Sequence, residues 1–297
     1  MRCVVYATRR SALALAQCRA LVARLQAAMP SLEARELQVV TSGDRIQDRP
    51  LADVGGKGLF VKEIEEALLD GRADFAVHSM KDVPATLPSG LVVACVPARE
   101  DARDVLVAPR HGTLDALPRE ARVGTSSLRR AVSLRAHRPD LQVVPLRGNV
   151  DTRLRKVDAG ECEAIVLARA GLVRLGLEAR ATEVLSLELS LPAPGQGALA
   201  VECRSDDDEM RAALACVHDP AAALCVAAER GVLSAVGGDC KSPLGVHAEV
   251  VLDSLRLRAF IARPDGTDLR RAERALPRPA DEQAAHALGL EVGRRLT

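Results

Sequence analysis

The sequence predicts an α/β protein with two α/β domains followed by a small α+β domain at the C-terminus. Through roughly the first 200 of its 297 residues, strand-like apolar runs alternate with helix-like stretches, a pattern typical of parallel sheets. The last part of the chain instead contains three consecutive segments with alternating apolar and polar residues, which is typical of antiparallel strands. Hydrophobic residues make up 48% of the chain, enough to fill the cores of such domains.

The first set of elements combines short apolar strands with amphipathic helices. The predicted strands are 3–7, 37–40, 73–77 and 91–96, and the predicted helices are 11–28 and 59–69. In the first helix, leucines and valines recur near helical spacing, which favours one buried face. The glycine-rich loop 54–58 precedes the second helix, but it lacks the spacing of a dinucleotide or Walker phosphate loop.

A second set of elements begins near Asp104. We predict strands at 122–124, 141–146 and 164–167, and helices that start at Ser126, Asn149 and Ala168. The segment 191–197 contains two prolines and two glycines, which predicts a loop or hinge. The strand 198–203 then follows at a place in the chain where it can rejoin the first sheet.

The C-terminal part is predicted to be a helix, three strands and a final helix, at 221–235, 246–252, 255–262, 269–275 and 281–295. We therefore expect three domains with a ligand crevice between the first two. The predicted boundaries are 1–98 with 198–217 for the first domain, 99–197 for the second and 218–297 for the third.

Composition argues against several classes of function. The net charge is only +1 and aromatic residues make up 1% of the chain, so neither a general basic field nor a base-stacking surface for nucleic acid is expected. The eight cysteines form no CxxC pair, which argues against a zinc site or a thioredoxin-like site. Without a long apolar run or a secretion signal, we expect a soluble cytoplasmic protein with no metal and no membrane partner.

The segment 73–82 delivers two charged side chains at the end of a strand. Its apolar run leads without a turn signal to Lys81 and Asp82. In open α/β sheets, ligands bind in the crevice outside the carboxyl ends of the strands. An isolated Lys-Asp pair is more often a solvated surface pair, but other strand ends in this chain also carry polar groups. We therefore predict that both side chains face a ligand.

Two strand ends in the second set are followed by hydroxyl groups, arginines and the start of a helix. The first carries Thr125, Ser127, Arg129 and Arg130, and the second carries Arg147 and Arg153. The unpaired N–H groups of a helix N-terminus attract anions. An ordinary serine N-cap is the alternative, but such helices favour acidic rather than basic residues in their first turn. The arginines therefore favour an anion site.

Further polar residues follow two other strands. Arg9 and Ser11 come after the first strand, and Arg174 follows the strand 164–167 by a short helix. Because arginine binds carboxylate and phosphate groups in a bidentate manner, so many strand ends with arginine indicate a ligand with several acidic groups.

Cys240 differs from the other cysteines because it lies in the turn-rich segment 237–243 rather than in an apolar run. Function often resides on loops, where a thiol is accessible. A half-buried loop cysteine without a chemical role is the alternative. The neighbouring Lys241 favours the thiolate and Asp239 opposes it, so the local sequence gives no direction for the reactivity of the thiol.

These motifs occur together, and in this order, in the hydroxymethylbilane synthase family, also called the porphobilinogen deaminase family. The chain resembles this family over essentially its whole length. The matching segments are 7–9, 54–60, 78–82, 124–130, 146–149, 194–198 and the loop that contains Cys240. Several dispersed motifs in one order are far more specific than any one of them.

The resemblance implies two bilobed solute-binding-protein-like α/β domains plus a small C-terminal α+β domain. It also implies a transferase of tetrapyrrole, porphyrin and heme biosynthesis. Such an enzyme condenses four porphobilinogen molecules head to tail, releases ammonia at each addition, and then releases hydroxymethylbilane by hydrolysis. The resemblance further implies a cytoplasmic monomer that has porphobilinogen as its small-molecule partner and carries a covalent dipyrromethane cofactor.

The family's functional residues map onto numbered positions of this chain. The resemblance places the cofactor thioether on Cys240 and the catalytic carboxylate on Asp82. It implies cofactor contacts from Lys81, Asp82, Thr125, Ser127, Arg129, Arg130, Arg147 and Arg153, and substrate contacts from Arg9, Ser11 and Arg174. Each pyrrole carries an acetate and a propionate, so the growing chain is a polyanion. Asp82 is expected to stabilise the positive charge that develops on the ring nitrogens, and to help move protons.

The loop around Cys240 departs from the family pattern at two places. Many members have Glu-Gly-Gly before the cofactor cysteine, where this chain has Gly-Gly-Asp at 237–239. Lys241 stands where a small or amide residue is usual. The cysteine itself is retained, so we expect cofactor attachment.

A non-catalytic bilobed module that binds anions or other solutes is the competing prediction. Such a module has the same two α/β domains, but it has no need for an accessible Cys240 or for Lys81 and Asp82 together. A nucleic-acid role ranks third, since arginines are in local excess between Arg119 and Arg180 but aromatic residues are rare.

Overall fold

The predicted alternation of strands and helices is present in the computed structural model, which describes residues 3–45, 61–237 and 242–297. Its strands are β1 (Val4–Arg9), β2 (Ala34–Val39), β3 (Phe75–Ser79), β4 (Leu91–Cys95), β5 (Asp104–Val107), β6 (Arg122–Gly124), β7 (Gln142–Val144), β8 (Ala164–Ala168), β9 (Glu183–Val184), β10 (Leu199–Arg204), β11 (Leu244–Val251), β12 (Ser254–Ile261) and β13 (Arg270–Pro277). Its helices are α1 (Ala12–Ala28), α2 (Ser42–Arg45), α3 (Lys62–Leu69), α4 (Leu128–His137), α5 (Val150–Asp158), α6 (Arg169–Arg174), α7 (Asp208–Ala215), α8 (Pro220–Ala235) and α9 (Glu282–Arg294).

The chain divides into two units, Met1–Arg99 with Ala198–Ala223, and Glu100–Gly197 with Leu224–Thr297. The first unit contains one five-stranded sheet in the order β2-β1-β3-β10-β4. Strand β1 runs parallel to β2 and β3, whereas β10 is antiparallel to β3 and β4. The prediction that 198–203 rejoins the first sheet is therefore confirmed, in the antiparallel direction.

Both faces of this sheet are covered by apolar side chains. On one face, Leu21 and Leu25 of α1 pack with Phe75 of β3, and all three are at most 2% exposed. On the other face, Ile64 and Leu68 of α3 complete a smaller cluster. This coverage explains why β1 and β3 read as nearly continuous apolar runs.

The second unit contains a five-stranded sheet and a three-stranded antiparallel sheet, in the orders β7-β6-β8-β5-β9 and β11-β12-β13. Strand β6 is parallel to β7 and β8, while β5 is antiparallel to β8 and β9. Helices α8 and α9 contribute to the core of the three-stranded sheet. They approach closely at Gly231 and Gly289. A Cβ on Gly231 would lie 2.2 Å from the carbonyl oxygen of His286, so the close approach requires glycine there. The predicted fold class, two α/β domains and a C-terminal α+β domain, is confirmed.

The predicted boundaries differ from the observed ones by a few residues in most elements. Strand β2 starts three residues before its predicted position, and helix α4 starts after its N-cap Ser127. The glycine-rich loop 54–58 and the start of the helix predicted at 59–69 lie outside the described residues. The division into three domains at the predicted boundaries stays a prediction.

No single helix in the described ranges is both long enough and apolar enough to cross a bilayer, although α7 and α8, bent at 114°, meet the length and composition test as a pair.

Candidate functional site

In the first unit, two neighbouring parallel strands bring Arg9, Lys81 and Asp82 to one edge of the sheet. Strand β1 ends at Arg9. Strand β3 ends at Ser79 and continues as a single 3-10 turn, Met80–Asp82. Because β1 and β3 are adjacent and parallel, their carboxyl ends lie side by side. The predicted placement of these three residues at the strand ends is observed, and all three side chains are partly exposed.

Hydrogen bonds fix the strand end that carries Asp82. Gln17 Nε2 of α1 donates to Ser79 Oγ at 3.0 Å, and Gln17 is only 4% exposed. The Met80 amide donates to the Ala198 carbonyl at 3.0 Å. The aspartate therefore follows a backbone that is held on two sides. Such pre-organisation favours electrostatic stabilisation of a charged transition state.

Ser11 has a structural role in the same region. Its hydroxyl caps α1 by accepting a hydrogen bond from the Ala14 amide at 3.3 Å. The contact of Ser11 with substrate stays a prediction.

A buried acid-base cluster lies in the sheet close to this edge. His78 Nε2 is 2.9 Å from Glu202 Oε2, and their side chains are 4% and 1% exposed. Burial raises the pKa of the neighbouring Glu65 carboxyl, and the charge of Glu202 raises it further, while His78 opposes both. This cluster was not predicted from the sequence, although a glutamate within the apolar strand β10 is a signal of it.

In the second unit, Asp104 is the centre of a buried hydrogen-bond network. Its side chain is 0% exposed and sits at the start of β5. Asp104 Oδ2 accepts from Arg129 Nη1 at 2.7 Å, and Asp104 Oδ1 accepts from Arg130 Nη2 at 2.7 Å and Nε at 3.1 Å. Two guanidinium groups thus share one carboxylate, and these three side chains together carry one formal positive charge.

The charge state of Asp104 follows from these contacts. Burial acts to raise its pKa, but the charges and hydrogen bonds of Arg129 and Arg130 outweigh burial and hold the pKa of Asp104 well below its usual range. Asp104 is therefore ionised at neutral pH. Asp104 was not predicted as a site residue, although a carboxylate directly before the apolar run 105–107 indicates a buried partner.

The hydroxyl groups at the start of α4 make local hydrogen bonds. Thr125 Oγ1 accepts from the Ser127 amide at 3.2 Å, and Ser127 Oγ accepts from the Arg130 amide at 3.5 Å as the N-cap of α4. The ordinary serine N-cap is therefore present. It does not exclude an anion site, because the same turn brings Arg130 to the edge of the sheet.

Arg153 adds a further positive charge near Arg130. Arg153 Nε donates to the Gly148 carbonyl at 2.8 Å, which holds α5 against the turn before it. Burial lowers the pKa of Arg153 to about 10, with smaller contributions from the positive charges of Arg130 and Arg147. We call Arg129, Arg130, Arg147 and Arg153 the arginine cluster. A set of partly desolvated like charges is unfavourable without an anion, which indicates a site for an acidic ligand.

Arg174 is held in place by the backbone. Its Nη2 donates to the Gly197 carbonyl at 2.6 Å, and burial lowers the pKa of its guanidinium, against the opposing charge of Glu100. The structure therefore gives this residue a partner in the segment 191–197, and its predicted contact with substrate stays a prediction.

The arginine cluster fits a cofactor with several carboxylates. Arg129, Arg130, Arg147 and Arg153 carry four positive charges against the single charge of Asp104, and a dipyrromethane with an acetate and a propionate on each ring supplies matching negative charges. No group of three or more metal-type side chains lies together within the described ranges. Cys240, the predicted attachment point, lies outside the described residues.

Comparison with known proteins identifies the family. A family model described as porphobilinogen deaminase, dipyromethane cofactor binding domain, matches residues 4–212, and the model of the porphobilinogen deaminase C-terminal domain matches residues 223–297. A porphobilinogen deaminase of Sorangium cellulosum (strain So ce56) is 61% identical over 290 residues, which cover 98% of this chain and 97% of the relative.

Among solved structures, YhfZ of Shigella flexneri matches 80% of this chain and 99% of its own, with 19% identity and a TM-score of 0.38. The periplasmic aliphatic sulphonate binding protein SsuA of Escherichia coli matches 79% of this chain and 70% of its own, with 15% identity and a TM-score of 0.41.

The two family models together cover nearly every residue of the sequence, and the first is the domain that binds the dipyrromethane cofactor. The resemblance expected from the dispersed motifs is confirmed. The chain therefore belongs to the porphobilinogen deaminase family, the family of transferases that make hydroxymethylbilane.

Proposed function

We propose that this member of the porphobilinogen deaminase family extends a dipyrromethane primer carried on Cys240, with the arginine cluster holding the carboxylates of the primer and Asp82 acting as the catalytic group. The reaction is the stepwise condensation of porphobilinogen with loss of ammonia. When bound, the cofactor supplies a nucleophilic pyrrole to which the first substrate unit is joined. The chain's own residues bind the acid arms, orient the rings and stabilise charge.

The observation that carries this proposal is the excess of positive charge around Asp104. One carboxylate is shared by Arg129 and Arg130, and Arg153, with its lowered pKa, lies near Arg130. An anion with several acidic groups stabilises a cluster of this kind, because it supplies the missing counter-charges. Porphobilinogen and its oligomers have such groups.

The proposed role of Asp82 rests on its position after a fixed strand end. Its carboxylate follows β3 by one 3-10 turn, next to Lys81. A carboxylate placed near pyrrole N–H groups stabilises positive charge on the ring nitrogens as a new bond forms. The ammonium of Lys81 is proposed to bind an acid arm. Arg9 is proposed to bind another, because it lies at the neighbouring strand end.

Replacing one arginine of the cluster tests the proposal. Arg153→Gln is expected to lower kcat/KM for porphobilinogen by roughly 10- to 100-fold, because it removes a charge-assisted contact to a carboxylate. Arg155→Gln is the matched control, since Arg155 is exposed on the same helix, where it contacts Asp151 at 4.0 Å and donates to Thr152 Oγ1 at 3.2 Å. The measurement is the consumption of porphobilinogen together with the release of ammonia.

The same assay separates the enzyme from the anion-binding module. Tight binding of porphobilinogen by the wild-type protein without release of ammonia would favour the binding module. Equal losses in Arg153→Gln and Arg155→Gln would show that the arginine cluster does not hold the substrate.

We also propose that the protein acts in the cytoplasm as a monomer. The seven described cysteines are all free, as is usual for a protein of a reducing compartment.

A further inference from the structure

The motif at 194–198, Pro-Gly-Gln-Gly-Ala, has no role in the reaction as proposed so far. Its backbone is held tightly within the second unit. The Gly195 amide donates to the buried Glu229 carboxylate at 2.6 Å. Gly197 has a φ of +86°, and a Cβ there would lie 2.4 Å from the Glu100 carbonyl oxygen, so only glycine fits. The residue between them, Gln196, is 1% exposed.

The Gln196 side chain contacts the network that holds the arginines. Its Nε2 donates to the Ala102 carbonyl at 2.7 Å and to Asp104 Oδ1 at 2.9 Å. The same oxygen, Oδ1, accepts the two hydrogen bonds that Arg130 donates to Asp104, at 2.7 and 3.1 Å, and a longer one from Arg129 Nη2 at 3.4 Å. Gln196 therefore binds the side of the Asp104 carboxylate that faces Arg130.

Arg130 is also the member of the Asp104 pair whose charge reaches Arg153 and depresses its pKa. Asp104 accepts two of the hydrogen bonds that hold the Arg130 guanidinium, and the Val166 carbonyl accepts a third from Nη1 at 2.9 Å. A change in the tilt of the Asp104 carboxylate would therefore shift the Nε and Nη2 side of this guanidinium group. A neutral amide donor can fix this tilt without altering the charge of the site, whereas lysine or arginine at this position would add a charge.

We propose that Gln196 is a positioning residue, which orients the Asp104 carboxylate and thereby the N–H groups that Arg130 presents to the acid arms of the ligand. This inference rests on the proposed function of the arginine cluster as a carboxylate site. Gln196 acts through Asp104 and Arg130 and does not itself touch the ligand.

The test measures citrate affinity by calorimetry in the full-length Cys240→Ser protein, so that no covalent cofactor competes. Gln196→Leu is expected to weaken citrate binding roughly tenfold, the effect of losing one good hydrogen bond to a charged group. The slope of log affinity against log salt should stay unchanged, because the number of charges is the same. Arg153→Gln should lower both the affinity and the slope.

Gln142→Leu is the matched control, because Gln142 is an exposed residue of β7 in the same sheet. It should change citrate affinity by less than about twofold. All variants are measured below the onset of thermal unfolding, and their midpoints are recorded, so that a folding defect is seen separately.

Equal citrate affinities of the Cys240→Ser protein and of its Gln196→Leu variant would overturn this inference and leave the arginine site intact. A smaller slope of log citrate affinity against log salt in Gln196→Leu would also overturn it, since the variant would then have changed the charge of the site. A parent protein that fails to bind citrate at all would overturn both this inference and the proposed anion site.

Discussion

Asp82→Asn is expected to lower kcat on the order of 10²–10³-fold, the loss typical when one pre-organised electrostatic group is removed from an active site. The amide has nearly the same shape as the carboxylate, but it cannot balance a positive charge on a ring nitrogen or accept a proton. Asp82→Glu keeps the charge and should retain part of the activity. The measurement is single-turnover addition of porphobilinogen by protein that already carries the cofactor.

Asp70→Asn is the control for this series, because Asp70 is a 63% exposed aspartate of the same unit that pairs with exposed Arg72. Its kcat should equal that of the wild type. If Asp82→Asn turned over substrate at the wild-type rate, Asp82 would have no catalytic role. If Asp82→Glu were as inactive as Asp82→Asn, position rather than charge would decide the rate.

Asp104→Asn is expected to lower the free energy of unfolding by about 3–5 kcal/mol, the usual result of removing one partner from a buried ion pair. Two buried guanidinium groups would lose their shared counter-charge, and the new amide would turn its N–H groups toward one of them. Circular dichroism during urea unfolding measures the loss. The variant should also bind substrate poorly, because an amide offers one oxygen where the carboxylate offers two, to Arg129 and to Arg130, and it carries no charge to hold either guanidinium group.

The pH dependence of this loss follows from the lowered pKa of Asp104. Its stabilising effect is fully present above the pKa of an unfolded aspartate, about 3.9, and disappears only as the pH falls through the lower folded value. The difference between wild type and Asp104→Asn should therefore be constant from about pH 5 to 8 and shrink in stronger acid.

Asp158→Asn provides the matched comparison. Asp158 also binds one arginine closely, Arg180 at 2.6 Å, but its side chain is 46% exposed. Solvent screening limits such pairs to about 0–1 kcal/mol. A loss for Asp104→Asn no larger than that for Asp158→Asn would contradict the view that Asp104 is the counter-charge of the arginine cluster.

Local patterns in the sequence predicted most of the elements. Strand β6 was predicted at 122–124 and is observed at Arg122–Gly124. Helix α5 begins after its predicted N-terminus at Asn149. The placement of Arg9, Lys81 and Asp82 at strand ends followed from the rule that ligands bind at the carboxyl ends of parallel strands.

Long-range pairing could not be predicted from local patterns. The antiparallel direction of β10 depends on where the chain returns after more than a hundred residues, and the apolar pattern of the strand is the same in either direction. The Asp104 network could not be predicted for the same reason, since it also depends on long-range contacts. It joins side chains from β5, α4 and the segments around Ser190 and Gln196, and no short window of sequence contains them together.

The site residues themselves were only partly predictable. The sequence indicated that Arg129 and Arg130 belong to an anion site, but not that both share one buried carboxylate. It left open whether Ser127 is an N-cap or an anion ligand, and the structure shows the N-cap. The contacts of these residues with the cofactor stay predictions, as does the attachment to Cys240.

The intact mass of the purified protein shows whether a primer is bound covalently to Cys240, on which the proposed function depends. Wild-type protein made in a cell that supplies porphobilinogen should exceed the mass calculated from its sequence. The difference should be the mass of two porphobilinogen molecules minus the ammonia released as each is joined. Cys216→Ser, which replaces an exposed cysteine, should carry the same adduct, whereas Cys240→Ser should have the mass of its sequence alone. An unmodified wild-type protein, or an adduct that persists in Cys240→Ser, would show that Cys240 does not carry the primer.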